Sequence, residues 1–499
     1  MRLKVKFLKW FPGVPVAMLN LKTAQRLGIH SRDRISIRTL GKNPKELSTV
    51  VGLVEGIVGK NQIALSSEVR SLMNLRKGQF VEVSLARAPK SLEYIKAKLD
   101  GKRLTQQELD TILKDLVSNS LSEAEVALFV SAMYKQGMNF KEIIALIKSM
   151  LHSGEKLNLR NKVIVDKHCV GGVAGNRTTP IVVSICASAG LVMPKNSSRA
   201  ITSAAGTADV VEVLANVEFT KAQLEKLVRK VGACLVWEGP VGIVPADSKI
   251  IRIERMLGID PKSQLLASIM SKKLAVGSNY ILIDIPYGRG AKIERKNEAL
   301  SLKREFEKLA RYFKVRIKVV LTDGSQPIGN GVGPVLEMMD VLSVLDPSKK
   351  GPKDLEEKAL FLAGEILEMA GKAKKGKGKE LARDLLSSGK AFKKFKQIIE
   401  AQGGKIKRLA PAKFHTQILS KKKGEITHID NRKINFLARI VGCPLDKDAG
   451  LFIHHHVGEK VEKGEPLLTF YAQTPSRLKE VMKFYKKQKP ILIQKAKRN

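Results

Sequence analysis

Four cysteines in 499 residues, at positions 169, 186, 234 and 443, are too few and too scattered for a disulfide framework or a Cys-x-x-Cys metal site. The longest apolar stretch, near residues 181–193, is interrupted by Ser184, Ser188 and Gly190, which excludes a bilayer-spanning segment there. No basic segment followed by an apolar core and a cleavage site opens the chain, so a reducing cytoplasm is the expected location. Acidic residues are also scarce, 48 against 89 Lys and Arg, and the formal charge is +41. Such a surplus attracts nucleic acid, anionic membranes or small anions. Aromatic residues make up 5%, and the lysines rarely alternate with them along the chain, so the surplus reads as a solvated surface. Neither a membrane nor a nucleic acid is expected as a partner.

What is present fits a soluble multidomain chain, with 43% hydrophobic residues and no repeat of fixed period. Residues 1–86 form a β-rich, barrel-like section: alternating runs at 3–8, 34–38, 49–54 and 80–85 are separated by turns and by two short helical segments. A helical section follows at 87–158. Thr105 with Glu108 and Ser122 with Glu125 are capping boxes, and Asn139 with Glu142 makes a related start before an apolar run. At 159–411, short apolar runs at 162–165, 233–236, 280–285 and 315–321 alternate with helical patterns. That alternation predicts an α/β domain with a mostly parallel sheet, some of its helices joining the helical section. Residues 371–379 read as a mobile Gly/Lys loop, and 412–499 as an α+β barrel-sandwich domain with a frayed basic tail. The fold class is therefore multidomain α/β.

Two clusters carry chemistry. The first, Asp166-Lys167-His168-Cys169-Val170-Gly171-Gly172-Val173-Ala174-Gly175-Asn176-Arg177-Thr178-Thr179, follows a strand and precedes an apolar helix. Glycines let backbone N–H groups approach an anion, the helix start adds partial positive charge, and Lys167 and Arg177 add cations. The second is Ser197-Ser198-Arg199-Ala200-Ile201-Thr202-Ser203-Ala204-Ala205-Gly206-Thr207-Ala208-Asp209, rich in hydroxyls with one guanidinium fork. Such a loop suits phosphate and ribose oxygens. His454-His455-His456 resembles a metal site, but neighbouring strand residues face opposite ways and no acidic or Cys cluster accompanies them, so no metal is expected.

The second cluster, with Val211-Glu212 after it, resembles the signature of the thymidine and pyrimidine nucleoside phosphorylases. Lys167-His168 with Gly171-Gly172 resembles their phosphate loop, Ala267-Ser268-Ile269-Met270-Ser271-Lys272-Lys273 their base-binding helix, and Gln326-Pro327-Ile328-Gly329 a further motif. The resemblance covers essentially the whole chain. The extra section at 1–86, Cys169 where Ser is usual, and the Gly-Asn-Arg-Thr-Thr and Ser-Ser-Arg-Ala-Ile-Thr-Ser strings place it nearest the archaeal, nucleotide-using AMP phosphorylase branch.

The resemblance implies phosphorolysis of AMP, and of CMP and UMP, with inorganic phosphate as co-substrate and no cofactor. Carried over by position, the nucleotide site comprises Gly172, Ser198, Arg199, Ala200, Ile201, Thr202, Ser203, Thr207, Ser268 and Lys292. Lys167, His168 and Lys272 join it as further phosphate or substrate ligands, and Asp260 is the proton donor. That role asks for a carboxyl pKa raised by burial or by a second carboxylate. A homodimer or larger homo-oligomer is implied. A nucleoside phosphorylase with the same loops, or a non-catalytic RNA-binding protein, are the competing readings.

Overall fold

The computed structural model describes residues 1–8, 12, 15–159, 161–200 and 203–494. The chain begins with β1 (Arg2–Phe7), β2 (Val16–Asn20), α1 (Leu21–Leu27), β3 (Arg34–Thr39), β4 (Glu46–Val54), β5 (Gln62–Leu65), α2 (Ser67–Met73) and β6 (Phe80–Leu85). Helices α3 (Ser91–Leu99), α4 (Gln106–Val117), α5 (Glu123–Gln136) and α6 (Phe140–His152) follow. The middle runs β7 (Val165–Cys169), α7 (Thr178–Ser188), β8 (Met193–Ser197), α8 (Thr207–Val211), α9 (Lys221–Val231), β9 (Ala233–Trp237), α10 (Glu238–Val241), α11 (Pro245–Leu257), α12 (Lys262–Ala275) and β10 (Tyr280–Tyr287). It continues with α13 (Lys296–Phe313), β11 (Arg316–Asp323), β12 (Gly331–Val332), α14 (Pro334–Leu345), α15 (Lys353–Met369), α16 (Gly378–Ser387) and α17 (Lys390–Ala401). The last part is β13 (Phe414–Leu419), β14 (Gly424–Ile429), α18 (Asn431–Ile440), β15 (Gly450–Ile453), β16 (Lys460–Val461), β17 (Pro466–Ala472), α19 (Pro475–Gln488) and β18 (Ile491–Gln494).

These elements form two compact units, residues 1–154 with 244–271, and residues 155–243 with 272–499. In the first, β1–β6 close a barrel in the order β1-β5-β2-β4-β3-β6. Alternation along each strand sends Leu3, Val5, Leu19, Ile35, Ile37, Ile63, Val81 and Val83 to its interior. The helical layer forms the three expected N-terminal boxes at Thr105, Ser122 and Asn139. Glu142 does more than cap. Its buried carboxylate accepts from the Asn139 and Leu104 N–H groups, both at 2.9 Å, and from Lys98 Nζ at 2.8 Å. Helix α11 returns to this layer, where Lys249 Nζ donates to the Leu116 and Val117 carbonyls at 2.9 and 2.8 Å, closing the carboxyl end of α4.

The second unit is built on parallel strands. β11, β10 and β7 pair in that order, β8 pairs with β9, and a parallel bridge between Ile164 and Val192 joins the two sets. Helices α7, α15 and α17 pack together over an apolar core of Val, Ile and Leu. The carboxy-terminal section holds a four-stranded sheet, β12-β15-β17-β13, and a three-stranded one, β16-β14-β18. Residues 475–488 are helical and β18 pairs antiparallel with β14, while the closing basic run 495–499, expected to be frayed, lies outside the described residues. The apolar stripe Leu478, Val481, Met482 and Tyr485 against the section's core outweighs the surrounding lysines.

Glu142→Ala leaves Lys98 buried without its carboxylate and is expected to cost about 3–5 kcal/mol. Removing the half-buried box residue in Glu108→Ala should cost about 1 kcal/mol. Urea unfolding followed by circular dichroism gives both values.

Candidate anion-binding site

The sequence placed a strand before the first cluster. In the structure, β7 runs through Asp166, Lys167 and His168, which make up most of its carboxyl half. A strand can bury such residues because each finds a partner inside the protein. Asp166 Oδ2 accepts from Lys273 Nζ at 2.7 Å, with Lys195 Nζ 3.5 Å from Oδ1. Lys167 Nζ donates to Thr178 Oγ1 at 2.8 Å and lies 3.5 Å from Thr179 Oγ1, at the first turn of α7. On the adjacent β10, Asp284 accepts from Thr322 Oγ1 at 2.6 Å and faces Lys358 Nζ at 3.4 Å. Alternate strand residues face opposite ways, so these are two buried clusters: Lys273 and Lys195 around Asp166 on one face of the sheet, and Lys167 with Lys358 near Asp284 on the other. Burial lowers the pKa of Lys167, with Asp284 among the groups that oppose the fall, and it lowers that of Lys273 against the opposing pull of Asp166. An anion arriving beside Lys167 would restore it toward full protonation.

The turn after β7 is shaped for such an anion. Gly171, Gly172 and Gly175 have φ of 98°, 93° and 67°. A Cβ on Gly172 would stand 2.2 Å from the Lys292 backbone nitrogen, so two residues that the sequence assigned to one site are in direct apposition. Cys169 is a poor thiolate donor: burial pushes its thiol up to about 11, with Asp284 adding to the rise, and Asn176 Nδ2 donates to its sulfur at 3.5 Å. His168 is held well below the ordinary histidine range by burial and then by Lys273, Lys195, Lys272 and Lys167. It therefore presents a neutral imidazole.

The second loop is drawn around Asp209, whose Oδ2 accepts the Ala200 and Gly206 N–H groups at 2.7 and 2.8 Å. Gly206 lets the Ser198–Arg199 backbone cross it: a Cβ there would lie 2.5 Å from both the Ser198 oxygen and the Arg199 carbonyl carbon. Arg199, expected to offer a fork to a ligand, and Arg177, expected to add a cation, are both paired within the protein. Arg199 makes a bidentate pair with Glu212 at 2.7 Å, reaches Asp209 and Glu218, and lies 4.5 Å over the Trp237 ring. Hydrogen bonding from Arg199, more than any other influence, holds Glu212 down to about 2. Arg177 ties the two loops together, donating to Glu337 at 2.7 Å, Thr207 Oγ1 at 2.8 Å and the Ala205 carbonyl at 2.7 Å.

Helix α18 holds both loops from the carboxy-terminal section. Asn431 Oδ1 accepts from Ala174 N at 2.9 Å, and Asn435 Oδ1, one turn later on the same face, accepts from Ala204 N at 2.8 Å. Sequence reading missed this pair, and it missed Asp284, whose signal was a carboxylate inside the apolar run 280–287. Of the other assigned residues, Ser203 Oγ donates to the Ala205 carbonyl at 2.6 Å, and Lys272 pairs with Glu238 at 3.0 Å. Ile201 and Thr202 lie outside the described residues. Asp260 and Ser268 belong to the first unit, Ser268 buried on α12 and Asp260 in the turn before it. Asp260 is exposed, so the burial that a proton donor to a leaving base calls for is not met at this residue.

At a pH above neutral, where free phosphate is already mainly dianionic, its binding is expected to take up protons as the buried Lys167 recharges. Calorimetric enthalpies in buffers of different ionisation heat measure this, and buffer-independent enthalpies would contradict it. The double variant Asn431→Ala, Asn435→Ala should weaken phosphate binding by roughly tenfold or more, each lost charge-free hydrogen bond contributing about 1 kcal/mol. Its far-ultraviolet dichroism should be unchanged.

Three family descriptions match the chain: the glycosyl transferase family helical bundle domain at residues 92–154, the glycosyl transferase family a/b domain at 161–392, and the pyrimidine nucleoside phosphorylase C-terminal domain at 425–492. Among curated proteins, the AMP phosphorylase of Pyrococcus furiosus is 44% identical over 99% of this chain and 98% of its own length. That of Methanococcoides burtonii is 40% identical over 99% and 97%. A putative thymidine phosphorylase of Legionella pneumophila strain Corby is 40% identical over 93% and 90%. Among solved structures, anthranilate phosphoribosyltransferase from Thermus thermophilus aligns with a TM-score of 0.52 at 19% identity, covering 62% of this chain and 99% of that one, a likeness of fold alone. With loops, domains and near full-length relatives in agreement, the chain belongs to the AMP phosphorylase family.

Proposed function

We propose that the enzyme is a pentosyltransferase that splits AMP with inorganic phosphate into adenine and ribose 1,5-bisphosphate. The observation that carries this reading is the buried Lys167, which donates to Thr178 at the first turn of α7, shares its face of the sheet with Asp284 and Lys358, and shortly precedes the glycine turn. A phosphate dianion supplies the missing charge. One phosphate oxygen attacks C1 of the ribose, the C1–N9 bond breaks, its electron pair leaves with adenine, and a proton is delivered to the base. The turn's N–H groups and Lys167 hold the nucleophile in line, and the bound phosphate's negative charge stabilises the ribose as it passes through an oxocarbenium-like state.

The hydroxyls and backbone of residues 198–203 with Thr207 suit the nucleotide's ribose and 5′-phosphate. Neutral His168 can donate to or accept from a ligand oxygen without charge. Ser268 as a base ligand and Asp260 as the proton donor rest on their place in the sequence motifs. The exposure of Asp260 makes it the assignment most in need of a direct test. CMP and UMP are further substrates in this reading, no metal takes part, and the enzyme works in the cytoplasm as a homodimer or larger assembly. Among the described residues no helix is long and apolar enough to cross a membrane.

Phosphorolysis of AMP, CMP, UMP and thymidine measured side by side should release base from the nucleotides and none from thymidine; the reverse pattern selects a nucleoside phosphorylase. Asp260→Asn should lower kcat by about 10²–10⁴-fold with a small change in the KM for phosphate. Chelation with EDTA should leave turnover unchanged. Identifying the released sugar as the 1,5-bisphosphate completes the test.

A further inference from the structure

The +41 surplus is concentrated in places: residues 371–408 hold 13 Lys and Arg against three acidic residues. The parallel sheet gathers part of it along one edge. Strand order β11-β10-β7 with β8-β9 sets five amino ends side by side, a rim roughly 20 Å wide at about 4.8 Å per strand. Lys314 and Arg316 open β11. Lys162 precedes β7, its carbonyl accepting from Asn279 Nδ2 at 2.7 Å. Lys372 Nζ lies beside Gly190, at the entry to β8. Arg229 and Lys230 end α9 just before β9, where Lys394 Nζ donates to the Val231 carbonyl at 3.4 Å and draws α17 alongside. The six residues Lys162, Arg229, Lys230, Lys314, Arg316 and Lys372 are exposed. Two acidic groups beside α9 are engaged: Glu225 accepts from Asn158 N at 2.9 Å and faces Arg229 at 3.9 Å, and Glu155 pairs with Lys221.

Along the chain, cations and aromatics do not alternate, which argued against a nucleic-acid partner. The fold brings them together all the same. Tyr312, at the end of α13, is 46% exposed two residues before Lys314, and Arg316 lies 5.1 Å over the Tyr280 ring. We infer that this amino-end rim binds single-stranded nucleic acid, its phosphates along the six cations and a base on the exposed Tyr312 face. Cations tracking a backbone beside an aromatic face are what such a strand needs. An anionic membrane calls for a set of inserting apolar side chains, and Tyr312 is a single one. The rim is at the opposite ends of the strands from the glycine turn, so it is a surface separate from the catalytic loops.

The test is fluorescence anisotropy of a short fluorescein-labelled oligouridylate titrated with the full-length protein. If about four phosphates are contacted, affinity should fall about fiftyfold between 50 and 200 mM salt. The variant Lys230→Ser, Lys314→Asn, Arg316→Ser, Lys372→Ser should lose binding with an unchanged melting temperature. The single changes Lys230→Ser and Lys372→Ser should each flatten the salt slope by about 0.7, which keeps the question decidable if the quadruple variant misfolds. Tyr312→Ala should weaken binding by about 5- to 150-fold. Absence of binding at 50 mM salt, equal binding by the single variants and wild type, or binding to phosphatidylglycerol vesicles but not to the oligonucleotide would overturn the inference.

Discussion

The structure of the second unit turns on charge buried beyond what the protein neutralises. Lys195 and Lys273 gather at Asp166 on one face of the parallel sheet, and Lys167 and Lys358 near Asp284 on the other. Isolated ammonium groups do not persist in such surroundings unless something compensates them. Threonine hydroxyls at the start of α7 satisfy hydrogen bonding at Lys167 without contributing negative charge. The buried charge of Lys167 beside the glycine turn fits the site to a phosphate dianion, and burial, reinforced by the surrounding lysines, holds His168 neutral.

Holding that arrangement requires rigid loops, and the constraints come from distant parts of the chain. Arg177 spans the two donor-rich loops, Asp209 folds the second on itself, and the Asn431–Asn435 pair grips one backbone N–H in each. The segment around Gly329 is pinned in the same way. Asp340 accepts from Asn330 and Gly331, Asp354 from Gly329, and the Ala174 carbonyl from Ile328 N at 3.0 Å. Burial pushes Asp340 up to about 7, with the loop's own N–H groups working against the rise. The strongest dipoles around the turn are thus backbone groups, several of them fixed by side chains far away in the sequence.

The same sheet uses its two ends differently. At the carboxyl ends the cations are buried and partly paired, which suits a small, fully enclosed anion. At the amino ends they are exposed and spread over five strands, which suits an extended one.

Local order was legible in the sequence. Capping boxes at Thr105, Ser122 and Asn139 announced α4, α5 and α6, because a hydroxyl or amide three residues before a carboxylate completes its hydrogen bonds within one turn. The glycines at 171, 172 and 175 announced a close backbone approach, and the two hydroxyl-rich strings named the loops. The sequence misread β7, since Asp166, Lys167 and His168 look like loop residues until their partners at 273, 195 and 178 are in place. Likewise it offered Arg199 as a ligand fork and Arg177 as a cation, and the fold pairs Arg199 with carboxylates and Arg177 with Glu337, Thr207 and the Ala205 carbonyl. What the sequence determined alone is whatever closes over a few residues: caps, turns, periodicity and the identity of the donor loops. Which charges end up paired, buried or open to a ligand was decided by tertiary structure, because electrostatic pairing depends on distance in space and no local pattern records a partner far along the chain.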